Sequence, residues 1–494
     1  MPFKALALFL VLPALVSCGT TGTNLLSQDS QFDDMRQTLQ QWSPALNSNN
    51  LEPAAQPPDD ASLRLHNPAQ AQALALRQSP AIRSILASQG IADADYRQAT
   101  LIQNPGFSAS ALRAEGSDSW KTEFSLTLGI LDWLTLPMRR QLAGAEHAQA
   151  RSRAFQLLTD ELGEVRSVYF AAVAARHISQ QHQQTAEAAR LNAELAARLS
   201  EAGNLSELER LHYEDVSARQ RQAWQQAQAE ADASMAALKR GLGLDIAAPL
   251  EIPDQLPDIA DSALSAGALR TLLQDSEQFA MLLTRTTSQR PDVRFLRDNR
   301  SALERQLQLQ RKQLGMSDIG VGLITEREPD GSRASGFELD LSLLVFDRGQ
   351  HQRASTRAHQ AQLSADEAAL ELAITYQLQT SLNNLLSLTE QATQLRDEDI
   401  PRQQRMLALT LQEYNFMLTG PFELIEAKQQ ELDTVLRYIN TLESYWLEHA
   451  WLMQYTANTA DIFIASLDSS APPPGPAMNP TPRAADTHQE HHHD

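Results

Sequence analysis

The sequence predicts a mainly α protein made of long helical rods, with a minor set of four β-strands of the membrane-spanning kind. Three observations predict it. The middle of the 494-residue chain is dominated by Gln, Ala, Leu, Arg and Glu, strong helix formers, with only 20 Gly and 6% aromatics. Apolar residues recur there at heptad spacing, as in Leu158, Leu162, Val165, Tyr169 and Ala172. Four short segments instead alternate apolar with polar or tiny residues.

The N-terminus has a sorting role. Lys4 is the only charge before the apolar run Ala5–Val16, which Pro13 alone interrupts. A short positive region followed by such a run reads as a secretory signal over residues 1–17, too short to cross a membrane as a helix. The run ends Leu15-Val16-Ser17-Cys18, with Gly19 next. This resembles the lipobox of bacterial lipoproteins, which implies that Cys18 becomes the lipidated first residue of the mature chain in a Gram-negative cell. Gly19, rather than Asp, fits sorting to the outer membrane. Cys18 is the only cysteine, which excludes a disulfide framework within one chain and any Cys-cluster metal site. Residues 18–67 form an anchored tether. Within it Phe32, Met35, Leu39 and Trp42 have helical spacing, and 43–62 is rich in Ser, Asn, Pro and Asp. No later stretch reaches the roughly 18 apolar residues of a membrane helix. Any crossing must therefore use strands closed into a barrel.

The body is a duplicated unit, 68–245 and 290–466, with 246–289 between the copies as an equatorial segment. Each copy reads helix, strand, strand, very long helix, Gly-containing turn, return helix. The first opens near Ser79-Pro80-Ala81-Ile82 and the second at Arg290-Pro291-Asp292-Val293, because Pro is tolerated in the first helical turn. Phe124 and Phe337 lie 213 residues apart, and Gly203 and Gly420 lie 217 apart, so the second copy carries a small insertion between those points.

The strands of copy one fall around Asn104-Pro105 to Ala111 and Lys121 to Ile130. Those of copy two fall around Ile319 to Thr325 and Phe337 to Val345. Phe337, Leu339, Leu341, Leu343 and Val345 share one face; Glu338, Asp340 and Ser342 share the other. Phe124, Leu126, Leu128 and Ile130 repeat this against Ser125, Thr127 and Gly129. Such alternation marks a lipid-out, water-in barrel wall. A half-buried soluble sheet alternates in the same way, and the outer-membrane signal favours the wall. Four strands cannot close, since about eight is the minimum. Two chains would supply eight and three would supply twelve.

The rods follow. Pro137 marks the start of the first long helix and the Gly203 turn its end, about 64 residues or roughly 95 Å. Leu378, Leu382 and Leu385 continue the heptads in copy two. A rod of this length suits a tunnel wall across an aqueous space, or equally a purely structural coiled coil. The turns Glu201-Ala202-Gly203-Asn204-Leu205-Ser206 and Leu418-Thr419-Gly420-Pro421-Phe422 reverse the rods, with Gly203 and Gly420 supplying the sharp bend.

Charge and chemistry exclude several classes. The chain has 41 Lys+Arg against 61 Asp+Glu, net −20, the wrong sign for a sequence-independent nucleic-acid binder. There is no HExxH, no GxSxG elbow and no phosphate-binding loop, so no catalytic constellation and no cofactor is expected. Residues 467–494 read as a disordered Pro- and His-rich tail. Its His488, His491, His492 and His493, beside Glu490 and Asp494, can bind Cu(II), Ni(II) or Zn(II) weakly, or be an incidental polar terminus.

Taken together, these features resemble the TolC-type outer-membrane efflux proteins, in particular the lipid-anchored branch that serves heavy-metal and multidrug pumps. The residues that carry the resemblance are Asn104-Pro105, Arg290-Pro291-Asp292, the two Gly-containing tips, and Leu344-Val345-Phe346-Asp347-Arg348-Gly349-Gln350 with Leu344 in place of the usual Pro. It covers about residues 68–466. It implies a homotrimer with a twelve-stranded barrel in outer-membrane lipid and a periplasmic α-helical tunnel. It also implies tips at Gly203, Asn204, Leu205, Gly420 and Pro421 that dock a periplasmic adaptor protein, and an inner-membrane pump that supplies the energy. Glu423 and Glu426, spaced i, i+3 after the second tip, stand where the family often carries two Asp that close the entrance. Six carboxylates around a narrow pore repel one another and attract cations; alternatively the two form a solvated face paired with Lys428. Glu338 and Asp340 would make the barrel lumen acidic, or pair with an Arg on a neighbouring strand. The expected function is a passive exit duct for metal cations or small toxic compounds. A type I protein-secretion duct is the alternative within the same fold. A structural periplasmic coiled-coil lipoprotein is the alternative outside transport, and the two amphipathic strand pairs argue against it.

Overall fold

The computed structural model describes residues 63–113, 120–262, 264–312, 316–343, 346 and 348–456. Cys18, with the rest of the signal and most of the tether, and the tail histidines His488, His491, His492 and His493 lie outside the described residues, as do Leu344, Val345 and Asp347.

The chain begins with a short strand β1 (Leu63–Arg64) and helices α1 (Pro68–Gln78) and α2 (Pro80–Ala99). Asn67 caps α1 by accepting the Gln70 amide at 2.9 Å, and Pro sits at the first position of both helices. Strands β2 (Gly106–Leu112) and β3 (Lys121–Gly129) follow, then the rod α3 (Ile130–Glu201) and its return helix α4 (Glu207–Leu242). A connector holds strand β4 (Leu250–Glu251), a 3-10 turn at Ile259–Asp261, and helices α5 (Ala266–Gln274) and α6 (Ser276–Gln289). The second copy runs α7 (Pro291–Lys312), β5 (Met316–Arg327), β6 (Arg333–Leu343), α8 (Gln350–Gln394), a π-turn at Leu395–Asp399, α9 (Ile400–Asn415) and α10 (Pro421–Tyr455). Among the described residues no helix is long and apolar enough to cross a membrane.

Pro137 does not start the first rod. The helix begins seven residues earlier and runs 72 residues, roughly 110 Å, with Pro137 inside it. A proline this close to the N-terminus removes one ladder bond, and neighbouring side chains serve the carbonyls beside the gap. Thr135 Oγ1 donates to the Leu131 carbonyl at 2.8 Å and Arg139 Nη2 to that of Asp132 at 3.0 Å. The second strand pair also extends beyond its expected limits, to Met316 and Arg327 in β5 and back to Arg333 in β6. Cross-strand partners, rather than side-chain alternation, set those ends.

The four long strands form one antiparallel sheet in the order β2-β3-β5-β6. The hairpins of the two copies lie side by side, with Thr122 opposite Arg327 and Gly129 opposite Gly320. A two-stranded parallel ribbon joins β1 to β4, with Leu63 opposite Leu250.

The heptad positions are the core. Leu158, Val165, Tyr169 and Ala172 of α3 are buried, as are Leu378, Leu382 and Leu385 of α8. They pack with Leu238 and Leu242 of α4, Leu269 and Leu272 of α5, and Leu442, Tyr445 and Trp446 of α10. Phe170 stacks on Trp446 at 5.1 Å. The connector thus lies where the two copies' rods meet.

Candidate functional site: a strand wall and two helical tips

The sheet turns an uncovered apolar face outward. Phe107, Phe124, Leu126, Leu128, Leu323, Phe337 and Leu339 alternate along the four strands and are all exposed, Phe337 at 87%. Cross-strand partners share a face, so the register places Glu338 with Gly322 and Thr127, and Asp340 with Gly320 and Gly129, on the opposite side. No Arg stands opposite either carboxylate, and among the described residues neither forms an ion pair. The glycines make room instead: a Cβ on Gly322 would meet Glu338 Oε2 at 3.4 Å, and one on Gly320 would meet Asp340 Cβ at 3.3 Å. The same polar face carries Glu123 opposite Glu326, with Lys121 Nζ 2.9 Å from Glu326 and 2.7 Å from Glu328. Sequence reading missed Glu123 and Glu326, although the parity of Ser125 and Thr127 already marked Glu123.

The first tip closes α3 with paired αL-type bonds. The Gly203 amide donates to Ser200 at 3.0 Å and the Asn204 amide to Leu199 at 2.8 Å, with Gly203 at φ +75°. Leu205 is half-buried. Ser206 then starts α4 in a capping box: its Oγ accepts the Glu209 amide, and its own amide donates to Glu209 Oε2 at 3.0 Å. The Ser206 hydroxyl, donating to the same Oε2 at 2.6 Å, and then the Ser206 amide hold the Glu209 carboxyl below the usual carboxylate range.

The second tip is built differently from expectation. Its left-handed residue is Met417 at φ +59°, not Gly420. The Met417 amide donates to Tyr414 and the Leu418 amide to Glu413, each at 2.9 Å, the same pair of bonds as in the first tip. Gly420, at φ −86° and ψ 169°, is the N-cap of α10, and Pro421 is its first helical residue. The bend comes three residues before Gly420 because the Glu413 and Tyr414 carbonyls are satisfied there. Phe416, Met417 and Leu418 project at this tip, with Met417 93% exposed.

The two tips stand together. Tyr213 of α4 stacks on Phe422 of α10 at 4.3 Å and 8°. Burial raises the Tyr213 phenol pKa, and the charges of Glu423, Glu209 and Glu426 raise it further. The structure therefore gathers Glu209 with Glu423 and Glu426 around one ring. Both Glu423 and Glu426 are exposed. Lys428 does not serve them; its ammonium pairs with Glu431, one turn further along the helix. Among the described residues no group of three or more His, Cys, Asp or Glu converges as a metal site.

No protein-family model matches the chain. A curated relative, Protein CyaE of Bordetella pertussis, is 26% identical over 318 residues, 61% of this chain; the match spans 64% of that relative's length. Solved structures match more broadly. The outer membrane protein VceC of Vibrio cholerae is 15% identical, with a TM-score of 0.61 over 79% of this chain and 96% of its own. The CmeC outer membrane channel of Campylobacter jejuni is 13% identical, with a TM-score of 0.62 over 83% and 92%. The MtrE outer membrane channel of Neisseria gonorrhoeae, solved in its open state, is 14% identical, with a TM-score of 0.60 over 78% and 88%. The chain has the fold of the TolC-type outer-membrane channels.

Proposed function

We propose that the chain is a TolC-type outer-membrane efflux protein, lipid-anchored through Cys18, whose three copies form a passive exit duct. The observation that carries the reading is the sheet: four strands with an apolar outer face and, among the described residues, unpaired edges at β2 and β6, joined to a first rod of roughly 110 Å. A soluble protein leaves no such face uncovered, and an isolated edge invites pairing with another chain. Three copies would give twelve strands and a closed wall, with lipid outside and water within.

Inside, Glu123, Glu326, Glu338 and Asp340 of each copy outnumber Lys121 and favour cations in transit. At the other end Glu423 and Glu426, with Glu209 beside them, would ring the entrance. Carboxylates crowded there hold cations and admit anions poorly. The tips at Gly203, Asn204 and Leu205 and at Met417 through Pro421 would meet a periplasmic adaptor linked to an inner-membrane pump. The duct has no energy source of its own. Metal cations or small toxic compounds are the proposed cargo, with His488, His491, His492 and His493 as a weak accessory site.

The test is purification of full-length protein in detergent, chemical crosslinking, and insertion into planar bilayers. A crosslinkable trimer with cation-selective conductance is expected. Selectivity should fall when Glu338 and Asp340 are changed to Gln and Asn. A monomer that inserts no channel would refute the reading. Growth of a deletion strain on copper, silver, zinc, cobalt, dyes and antibiotics, complemented with and without residues 487–494, then assigns the cargo.

A further inference from the structure

The second rod is interrupted about two-thirds of the way toward its tip, in a way that α3 is not. One π-turn, Leu395–Asp399, separates α8 from α9, and Pro401 follows. A π-turn inserts an extra residue into the ladder, and such turns concentrate at functional positions. Pro401 withholds a further N–H, so resistance to bending is least here. Beyond this point α9 packs chiefly on α10 and has no buried side chain.

A carboxylate from the connector, Asp258, reaches this joint. Asp258 Oδ1 accepts from Arg396 Nη1, inside the π-turn, at 2.8 Å, and from the Ala260 amide at 2.9 Å. Its Oδ2 accepts the Tyr438 hydroxyl of α10 at 3.1 Å. Arg396 turns its Nε and Nη2 to Asp397 at 2.7 and 3.0 Å. Burial alone would raise the Asp258 pKa; the Ala260 amide, Arg396 and Tyr438 outweigh it and hold the carboxyl below its usual range. The strand of chain that carries Asp258 is moored on both sides. Asp254 pairs with Arg176 of α3 at 2.6 Å, the Pro257 carbonyl accepts the Trp446 indole N–H at 2.8 Å, and the Ser262 and Tyr445 hydroxyls share a hydrogen bond.

We propose that segment 254–262 is a clamp on the π-turn, with Asp258 as its positioning residue, that sets the bend of the second rod and through it the place of the second tip. The proposal rests on the reading of that tip as the duct entrance. Sixteen residues of α9 give a lever of about 24 Å. A bend of roughly 10° at its root would move the tip by about 4 Å, enough to open or close a narrow ring.

The test compares full-length wild type, D258N and D258E by amide hydrogen exchange in detergent and by single-channel conductance. D258N weakens a charge-assisted bond, so exchange over 395–418 should quicken about tenfold while α3 is unchanged. Closed-state conductance should rise severalfold, and D258E, which keeps the charge, should recover part of both. Exchange over 395–418 within about twofold of wild type, or a rise spread evenly over α3 and α10, would overturn the clamp. If D258N does not fold, Y438F removes one bond with little change in volume and must still quicken 395–418 selectively. A wild type that conducts nothing would defeat the duct reading, while the exchange pattern would still decide the clamp.

Discussion

Replacing one glycine at each tip separates a residue that a bend requires from one that merely stands near it. Gly203 holds φ +75°, and a Cβ there would meet nothing within 4 Å, so G203A suffers only the backbone cost of a left-handed alanine. That cost is about 1 kcal/mol. Gly420 holds an ordinary extended φ of −86°, and its added Cβ would touch only the movable end of Glu423 at 2.7 Å. G420A should therefore leave the bend itself undisturbed and cost at most about 1 kcal/mol at the N-cap of α10. The assay is residue-resolved hydrogen exchange on the amides that close each tip. In G203A the Gly203-position and Asn204 amides, bonded to Ser200 and Leu199, should exchange about fivefold faster, the factor that 1 kcal/mol implies. In G420A the Met417 and Leu418 amides should not change. M417G should slow the Leu418 amide by a similar factor, because glycine accepts φ +59° without the side-chain penalty. Equal disturbance from G203A and G420A would refute the assignment of Met417 as the second bend.

Three further outcomes are expected. E423Q together with E426Q should raise single-channel conductance and lower cation preference; unchanged values would remove both residues from the entrance. The Glu209 carboxyl is depressed in the folded chain, so its cap stabilises α4 above the ordinary carboxylate pKa and is lost as pH falls through the lower folded value. Exchange at the first turn of α4, corrected for intrinsic rates, should accelerate in acid in wild type and lose that dependence in E209Q. C18A should abolish incorporation of radiolabelled palmitate, and continued labelling would place the anchor elsewhere.

Much of the architecture was legible because its signals are periodic. Leu158, Leu162, Val165 and Tyr169 fixed the buried stripe of α3, and Phe337 and Leu339 fixed the parity of β6, since spacing alone decides which side chains share a face. The misreadings share one cause, which is local chemistry without a period. Pro137 looked like a helix start, yet it sits two turns into α3, where it removes only the ladder bond to the Trp133 carbonyl. Gly420 looked like the bend, yet Met417 takes the left-handed position, and its own amide and that of Leu418 satisfy the Tyr414 and Glu413 carbonyls. The knot at Asp258 was invisible for another reason. Its partners Arg396 and Tyr438 lie 138 and 180 residues away, and no local pattern announces such a meeting.

The pairing of β3 with β5 also sets an order on folding. Thr122 must find Arg327 across some two hundred residues of chain, whereas α3 and α4 need only reverse at a tight turn. Non-local pairings form late and slowly. In a chain that emerges N-terminus first, the β2–β3 hairpin must wait with the outer edge of β3 unpaired until the second copy arrives. That interval is when the protein is most exposed to aggregation.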